Sequence, residues 1–235
     1  LLNLNVSKNM PLLIENFIEL IQYQSIILYL FIGFIIGSIP FGLIIVKISG
    51  YGDIRKIGSG NIGATNVLRT GNKFIAVLTL IFDISKSFII LYLAEILFKS
   101  MLNEELLITL FLSLSLLSIL GHMFSPFLLF KGGKGIATAA GILLFLSWPC
   151  ALFTLLIWLF FALIFKTSSL GALSASITAP ILFWLLSKIV KVGLIPDNFY
   201  IYNIEIYIVL IITTLIMAKH VPNIRRIIKG TESKI

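Results

Sequence analysis

One polar stretch of the chain, residues 58–73, holds the residue types that bind phosphate. It contains four glycines and three asparagines, together with Ser59, Thr65 and Arg69. Glycine permits left-handed backbone angles, so successive N–H groups can point into one concavity that binds an anion. The hydroxyls add donors, and the guanidinium can grip two phosphate oxygens at once. The stretch therefore predicts an anion site, with a flexible connector between helices as the competing interpretation.

A second stretch combines glycine with lysine where an apolar run begins. Residues 130–138 read Phe-Lys-Gly-Gly-Lys-Gly-Ile-Ala-Thr, and a helix that starts there would present unpaired N–H groups at its N-terminus. The two lysines would add full positive charge. The spacing differs from that of a Walker loop, so nucleotide binding is not inferred. The predicted anion-binding residues are Lys131, Gly132, Gly133, Lys134 and Gly135.

A third stretch, residues 220–223, brings an imidazole and an amide together just beyond an apolar run. His220 and Asn223 are its polar members, and two arginines follow at positions 225 and 226. A single histidine at a helix end is more often a capping or packing residue than a catalytic one. The two predicted anion-binding loops on the same face favour a role in the site, so we predict that both side chains contact substrate.

The polar loops lack the residues that covalent or metal-dependent catalysis would need. Cys150 lies in an apolar run, no group of metal ligands is evident, and no serine stands in a Gly-x-Ser-x-Gly turn. On the side of the three polar stretches, Asp53 and Glu232 are the only acidic residues, and they lie far apart in sequence. We therefore expect neither a metal nor another cofactor.

The composition indicates that lipid is the main solvent of this chain. Charged residues make up 12% of it, against roughly 25% in an average soluble protein, and hydrophobic residues make up 59%. The mean hydropathy is +1.08. A soluble domain of 235 residues could not bury this much apolar side chain, so we predict a membrane protein.

Seven apolar runs are predicted to cross or enter the bilayer. The run 136–164 is too long for one straight crossing of a hydrocarbon core about 30 Å thick. We divide it at the Ser-Trp-Pro step of residues 147–149, which leaves a short run of about half the membrane thickness and a longer one. The predicted spans are residues 25–47, 73–98, 106–121, 136–146, 150–165, 170–186 and 204–218.

Positive charge is concentrated on one side of this arrangement. Thirteen of the 18 Lys and Arg residues share a side with the three polar stretches, and four fall on the other. Loops rich in Lys and Arg mark the cytoplasmic side of a membrane protein. The N-terminus is therefore predicted outside and the C-terminus in the cytoplasm. The predicted fold class is an all-α polytopic membrane protein with about seven transmembrane helices, one of them a short half-span. Residues 1–24 form a separate segment, interfacial or poorly ordered, and residues 25–235 a single membrane-embedded domain.

The second predicted span carries two charged residues deep within it, Asp83 and Lys86, three residues apart and hence on one helical face. Ionisable groups at this depth are costly unless they pair or face a polar cavity. Two interpretations remain open. The residues form a structural ion pair, or they support a nearby site.

The three cationic stretches suit a phosphorylated substrate, and the lipid-facing spans suit an acyl chain. Together they predict chemistry between a soluble phosphate compound and a lipid. A transporter of an organic phosphate would share the fold and the loops, but it would line a path through the membrane with polar residues. Only Asp83 and Lys86 are charged deep within a span. A scaffold that recruits acidic partners would not need so many glycines.

Five ordered motifs lie between residue 37 and the C-terminus. They are Gly-Ser-Ile-Pro-Phe-Gly (37–42), Gly-Ser-Gly-Asn-Ile-Gly-Ala-Thr-Asn-Val-x-Arg (58–69), Gly-His-x-Phe-Ser-Pro-Phe (121–127), Phe-Lys-Gly-Gly-Lys-Gly-x-Ala-Thr (130–138) and His-x-x-Asn-Ile-x-Arg (220–226), the last followed by Gly-x-Glu (230–232). Together they resemble the bacterial acyl-phosphate:glycerol-3-phosphate acyltransferases, the PlsY family. One departure is Ser87, where that family often has glycine.

The resemblance implies an activity and a location. The family transfers a fatty acyl group from acyl-phosphate to the 1-hydroxyl of glycerol 3-phosphate, giving 1-acylglycerol 3-phosphate (lysophosphatidate) and phosphate, the first acylation step of phospholipid synthesis. It implies a multi-pass protein of the bacterial cell (inner) membrane whose site faces the cytoplasm. The expected partners are acyl-phosphate, glycerol 3-phosphate and the bilayer, with no nucleic acid, and a monomer is compatible with the sequence.

The resemblance also implies roles for individual residues. Ser59 and Arg69 match residues needed for activity, and Lys134 matches the direct contact to glycerol 3-phosphate. Glu232 matches a structural glutamate. The implied catalytic residues are Ser59, Arg69, His220 and Asn223. The substrate-binding set, with the residue-based predictions included, is Ser59, Thr65, Arg69, Lys131, Gly132, Gly133, Lys134, Gly135, Ser169, His220 and Asn223.

The predicted mechanism needs no covalent intermediate. Acyl-phosphate is a mixed anhydride, so its phosphate leaves readily. The protein must hold two anions together and stabilise the charge that develops on the carbonyl oxygen. Two candidates for the base that accepts the hydroxyl proton remain open, His220 and an oxygen of a substrate phosphate.

Overall fold

The computed structural model describes residues 6–196, 199 and 201–235, with side chains from residue 12 onward. These residues form α-helices joined by short loops and 3-10 turns, and no strand occurs among them. The predicted all-α polytopic class is thereby confirmed. The helices are α1 (Val6–Leu20), α2 (Gln24–Ser38), α3 (Phe41–Ile48), α4 (Ala64–Leu68), α5 (Lys73–Phe98), α6 (Glu104–Met123), α7 (Ile136–Leu146), α8 (Trp148–Phe165), α9 (Ser168–Lys191), α10 (Asn203–Lys219) and α11 (Val221–Ile228).

Four of the described helices, α5, α6, α8 and α9, are long and apolar enough to cross a membrane. The number rises to six if each of two bent pairs counts as one span. These pairs are α1 with α2, which meet at 101°, and α10 with α11, which meet at 59°. Helix α7 is apolar but shorter, as the half-span was predicted to be. The total of about seven spans and the orientation of the two termini stay predictions.

The N-terminal segment contains helix α1, and its first five residues lie outside the described part of the chain. Several of its large apolar side chains are exposed, among them Leu12, Phe17 and Ile18. Exposure of this kind suits a helix against lipid rather than water. The predicted interfacial position of residues 1–24 stays a prediction.

The first predicted span is two helices rather than one. Helix α2 ends and helix α3 begins on either side of Pro40, which has no backbone N–H to donate. The carbonyl groups freed by this break find side-chain donors. Ser125 Oγ donates to the Ser38 carbonyl oxygen at 2.6 Å, and Lys86 Nζ lies 3.3 Å from the carbonyl oxygen of Ile39. The break therefore connects α2 to α5 and to the loop after α6.

The long apolar run divides where the sequence predicts. Helix α7 ends at Leu146 and α8 begins at Trp148, two residues earlier than predicted, with Pro149 in its first turn. Helix α9 also begins early, at Ser168, in what was predicted to be a polar turn. Two serines, Ser168 and Ser169, are therefore held in the first turn of a helix.

Glycines let α2 and α6 approach closely. A Cβ added at Gly37 would lie 2.4 Å from the carbonyl oxygen of Ser118, and one added at Gly121 would lie 2.4 Å from that of Phe34. Small residues at such crossings allow backbone-to-backbone packing in membranes. This contact fixes the end of α6, from which the second polar stretch follows.

We predict that Gly121→Ala lowers the free energy of unfolding by about 1–3 kcal/mol, because the new methyl group would meet a backbone carbonyl that cannot move alone. Reversible unfolding of the detergent-solubilised protein by SDS measures the change. Gly63→Ala is the matched control, since a Cβ there would have its nearest contact at 3.4 Å, an ordinary van der Waals distance. Equal loss of stability in the two variants would contradict the close α2–α6 packing.

Candidate active site

Asn66 organises the first polar stretch. The buried amide nitrogen lies 2.8–3.1 Å from three backbone carbonyl oxygens of the preceding loop. Its Oδ1 accepts from the Ser59 N–H at 3.0 Å and from Arg69 Nη1 at 3.1 Å. A Cβ at Gly58 would lie 2.5 Å from Asn66 Oδ1 and 2.6 Å from Arg69 Cδ, so only glycine fits there. Asn66 thus fixes the guanidinium, although the sequence did not single it out.

The carboxylate of Glu232 connects three separate parts of the chain. Its Oε1 accepts from Ser169 Oγ at 2.8 Å and from Asn223 Nδ2 at 2.7 Å. Its Oε2 accepts from Arg226 Nε at 2.6 Å. Asn223 Oδ1 in turn accepts from Lys134 Nζ at 2.7 Å. One chain of hydrogen bonds therefore links α9, α11, the C-terminal residues and the loop before α7.

The ionised state of Glu232 sets the orientation of this network. Burial alone would raise its pKa, but the hydrogen bonds from Arg226, Ser169 and Asn223 outweigh that effect and hold the pKa below its usual value. An ionised carboxylate can only accept hydrogen bonds. The amide nitrogen of Asn223 must therefore face Glu232, which leaves the amide oxygen for Lys134.

Lys134 and Arg226 are the two cations of this network, and Lys134 lines the cavity described below. Burial lowers its pKa to about 8, Glu232 opposes the shift, and the positive charges of Arg226 and Arg69 add to it. The ammonium is therefore mostly charged at neutral pH but can lose its proton more easily than an exposed lysine. Gly135, the next residue, has φ +82° and starts α7, whose first two residues also line the cavity described below.

The other three residues of the predicted second anion site have different positions. The Gly132 N–H donates to the carbonyl oxygen of Met123 at 3.2 Å, and the Gly133 N–H donates to that of His122 at 3.0 Å. In this structure these two N–H groups are therefore occupied by backbone acceptors, and the predicted binding role of Gly132 and Gly133 stays a prediction. Lys131 is exposed, and none of the three lines the cavity. Sequence spacing could not reveal this, because the acceptors belong to the end of α6.

His220 ends α10 and is buried. Its Nδ1 lies 2.9 Å from the carbonyl oxygen of Ile216, which can only accept, so the proton belongs on Nδ1 and the lone pair on Nε2. Its pKa is lowered to about 4, mainly by burial. The hydrogen bond to Ile216 opposes this shift, and the charge of Lys134 contributes to it. The imidazole is therefore neutral at physiological pH.

The C-terminal residues close one side of the site. Ser233 Oγ accepts from Arg69 Nη2 at 2.6 Å, and the backbone N–H of Ile235 donates to the carbonyl oxygen of Lys166 at 2.8 Å. Ser233 and Ile235 both line the cavity. The second nitrogen of the guanidinium thus has a serine hydroxyl as its partner, where an anion could bind instead.

Two hydroxyls join the first polar stretch to α9. Thr65 Oγ1 and Ser168 Oγ lie 2.9 Å apart. Ser59 is exposed and lines the cavity, with its N–H bonded to Asn66. The sequence singled out Ser169 but missed Ser168, because it placed both in a turn, where their directions could not be assigned.

These groups surround one cavity of about 300 Å³. Its polar end carries Arg69, Lys134 and Glu232. Its other end runs between α7, α8, α9 and α10 and is lined by apolar residues such as Leu143 and Val209. The cavity therefore offers charge at one end and an apolar channel at the other. Of the predicted site residues, it gathers Ser59, Thr65, Arg69, Lys134, Gly135, Ser169, His220 and Asn223.

The arrangement can bind an anion and an alkyl chain side by side. Two cations and several hydroxyls, all within one cavity, can hold phosphate oxygens. The apolar end can take a chain that also contacts lipid. The neutral imidazole of His220 also lines this cavity.

Comparison with known proteins places this chain in a family. The family model described as glycerol-3-phosphate acyltransferase matches residues 27–230. The glycerol-3-phosphate acyltransferase of Bartonella henselae is 42% identical over 92% of this chain and 94% of its own length. That of Mesorhizobium japonicum is also 42% identical, over 90% of this chain and 96% of its own.

Solved structures agree with these relatives. The crystal structure of PlsY, an integral membrane glycerol 3-phosphate acyltransferase, in its glycerol 3-phosphate form matches with a TM-score of 0.74 at 34% identity, covering 90% of this chain and 96% of PlsY. The lysophosphatidic acid form matches with a TM-score of 0.73 at 33% identity. The chain belongs to the glycerol-3-phosphate acyltransferase family of integral membrane enzymes.

Proposed function

We propose that this chain transfers a fatty acyl group from acyl-phosphate to the 1-hydroxyl of glycerol 3-phosphate, releasing lysophosphatidate and phosphate. The observation that carries the proposal is the contact of Lys134 with Asn223, in a cavity that also holds Arg69 and continues into an apolar channel. We further propose that the site faces the cytoplasm from a bacterial inner membrane, because the cationic loops lie on that side of the predicted topology.

The two forms in which PlsY was crystallised support this choice of substrate and product. Glycerol 3-phosphate and lysophosphatidic acid are named for that protein. Both molecules carry a phosphate, and the second adds an acyl chain. The cavity in this chain has a region suited to each part, a cationic end and an apolar end.

The proposed reaction brings two anions together, which costs electrostatic repulsion unless cations neutralise them. Lys134 and Arg69 supply two charges in fixed positions. We assign glycerol 3-phosphate to Lys134 and the leaving phosphate to Arg69, where it would replace the hydroxyl of Ser233. Asn223 and Glu232 keep Lys134 in place, so that little reorganisation is needed when substrate binds.

In the chemical step the 1-hydroxyl oxygen attacks the carbonyl carbon of acyl-phosphate. A new carbon–oxygen ester bond forms, and the bond between the carbonyl carbon and the bridging phosphate oxygen breaks. The phosphate leaves with that bonding pair. The hydroxyl proton ends on the released phosphate, either directly or through a side chain, so atoms and charge balance.

The low pKa of His220, about 4, favours direct transfer of the proton to a phosphate oxygen. A base this weak gains little by taking a hydroxyl proton, since the best catalytic base has a pKa near the working pH. We therefore assign His220 a role in orienting the hydroxyl or the carbonyl oxygen, and a substrate phosphate the role of base.

A turnover assay tests the proposal. Purified protein in detergent should release phosphate from acyl-phosphate only when glycerol 3-phosphate is added, and lysophosphatidate should form in equal amount. Flux of glycerol 3-phosphate into liposomes without such turnover would instead favour a transporter.

Arg69→Ala should reduce kcat/KM by about 10–100-fold or more, because a charge-assisted hydrogen bond to phosphate is lost. Arg55→Ala is the matched control, since Arg55 lies in the preceding loop, partly exposed, and pairs with Asp53 at 2.6 Å. That variant should retain nearly full activity. Equal loss in both would show that general positive charge, rather than the Arg69 site, is what matters.

The rate should depend on pH through Lys134. Its ammonium is charged below a pKa of about 8 and neutral above it, so kcat/KM for glycerol 3-phosphate should fall as the pH rises through about 8. The substrate phosphate is already ionised there, with a second pKa of about 6. In Lys134→Arg, which keeps its charge, the fall should vanish even if the overall rate is lower. A fall at the same pH in that variant would exclude Lys134 as its source.

His220→Gln separates the two candidate bases. If a substrate phosphate accepts the proton, kcat should fall by less than about 100-fold, because only orientation is lost. A fall of about 10²–10⁴ would assign the proton to the imidazole. Steady-state kinetics with both substrates varied measures the difference.

A further inference from the structure

A buried cluster of charged and polar groups lies beneath the second polar stretch. It consists of Asp83 and Lys86 on α5 and His122 on α6, all three buried. Lys86 Nζ lies 2.7 Å from Asp83 Oδ1 and 2.7 Å from His122 Nδ1. Charged groups within a membrane span cost free energy, so such groups usually have a functional role.

The lysine fixes the state of the histidine ring. An ammonium has three N–H donors and no acceptor, and here the third donor is directed to the carbonyl oxygen of Ile39 at 3.3 Å. His122 Nδ1 must therefore accept, which assigns the ring proton to Nε2. Both the orientation and the tautomer of His122 thus depend on Lys86, which Asp83 holds in place.

On the side opposite Lys86, His122 contacts Gly132 and Gly133, which together are called the glycine loop below. A Cβ added at Gly133 would lie 2.2 Å from His122 Nε2, and one added at Gly132 would lie 2.1 Å from the His122 carbonyl oxygen. That carbonyl also accepts the Gly133 N–H at 3.0 Å. The loop therefore rests directly on His122, and Lys134 follows it by one residue.

We propose that Asp83, Lys86 and His122 are positioning residues for the bound glycerol 3-phosphate. The ion pair fixes the His122 ring, and the ring fixes the position of Gly132 and Gly133. These glycines in turn fix where Lys134 Nζ contacts the substrate phosphate. The proposal rests on the proposed function and deepens it. It adopts the second of the two interpretations that the sequence left open for Asp83 and Lys86.

Stability alone does not explain such a cluster. Replacing a buried ion pair by uncharged residues of similar volume is often neutral or stabilising, because the cost of removing two charges from water is recovered. Removing one partner, by contrast, leaves an unpaired buried charge. A test must therefore remove both charges together.

The test compares Asp83→Asn/Lys86→Met with wild type. The double variant should raise KM for glycerol 3-phosphate about tenfold or more, while KM for acyl-phosphate stays close to wild type. Glu95→Gln/Lys99→Met is the matched control, because it removes an exposed ion pair of 3.0 Å at the C-terminal end of the same helix. It should change neither KM.

His122→Asn gives a second test that leaves the ion pair intact. Asparagine can still accept a hydrogen bond from Lys86, but it lacks the ring edge beneath Gly133. It should raise KM for glycerol 3-phosphate in the same selective way. This variant decides the question if the double variant does not fold.

An unchanged KM for glycerol 3-phosphate in a folded variant would overturn the proposal. So would an equal rise in KM for both substrates together with a lower melting temperature, which indicates general loosening. Failure of the proposed function is a separate result, since wild-type protein would then show no turnover at all.

Discussion

The cations beside the cavity need a negative partner, and Glu232 supplies one for Arg226 directly and for Lys134 through Asn223. Its carboxylate receives Arg226, Ser169 and Asn223, and through the asparagine amide it fixes Lys134. These partners come from parts of the chain far apart in sequence. Without that carboxylate, several cations would repel one another with no anion present. With it, the site is assembled before substrate arrives, and only the remaining positive charge is available to phosphate.

The fold brings the start of α7 and the end of α10 together at the cavity. The short helix α7 begins at the cavity rather than at the end of a full span, so Lys134 and Gly135 lie beside the end of α10. Glycines at the α2–α6 crossing fix the position of the end of α6. His122, near that end, contacts Gly132 and Gly133 and so fixes their position as well. The apolar part of the cavity, between α7 and α10, continues from its cationic end. An acyl chain and a phosphate group could therefore bind next to each other.

Much of this arrangement follows from the sequence, and the rest depends on contacts that sequence spacing does not contain. Length and the Ser-Trp-Pro step gave α7 its observed bounds, 136–146. Glycine and charge content identified the stretches that hold Arg69 and Lys134. The residue types of Gly132 and Gly133 do not reveal that their N–H groups donate to carbonyl oxygens at the end of α6. Such partners are set by helix packing, as is the central role of Asn66.

The proposed contact between Lys134 and the phosphate of glycerol 3-phosphate can be measured directly. Solid-state NMR can measure the dipolar coupling between the side-chain nitrogen of a ¹⁵N-lysine-labelled protein in lipid and the ³¹P of bound substrate. We expect a coupling that corresponds to direct hydrogen bonding, with nitrogen and phosphate oxygen about 2.7–2.9 Å apart, and we expect it to be lost in Lys134→Arg. A coupling that persists in that variant, or none in wild-type protein saturated with substrate, would show that Lys134 does not bind the phosphate.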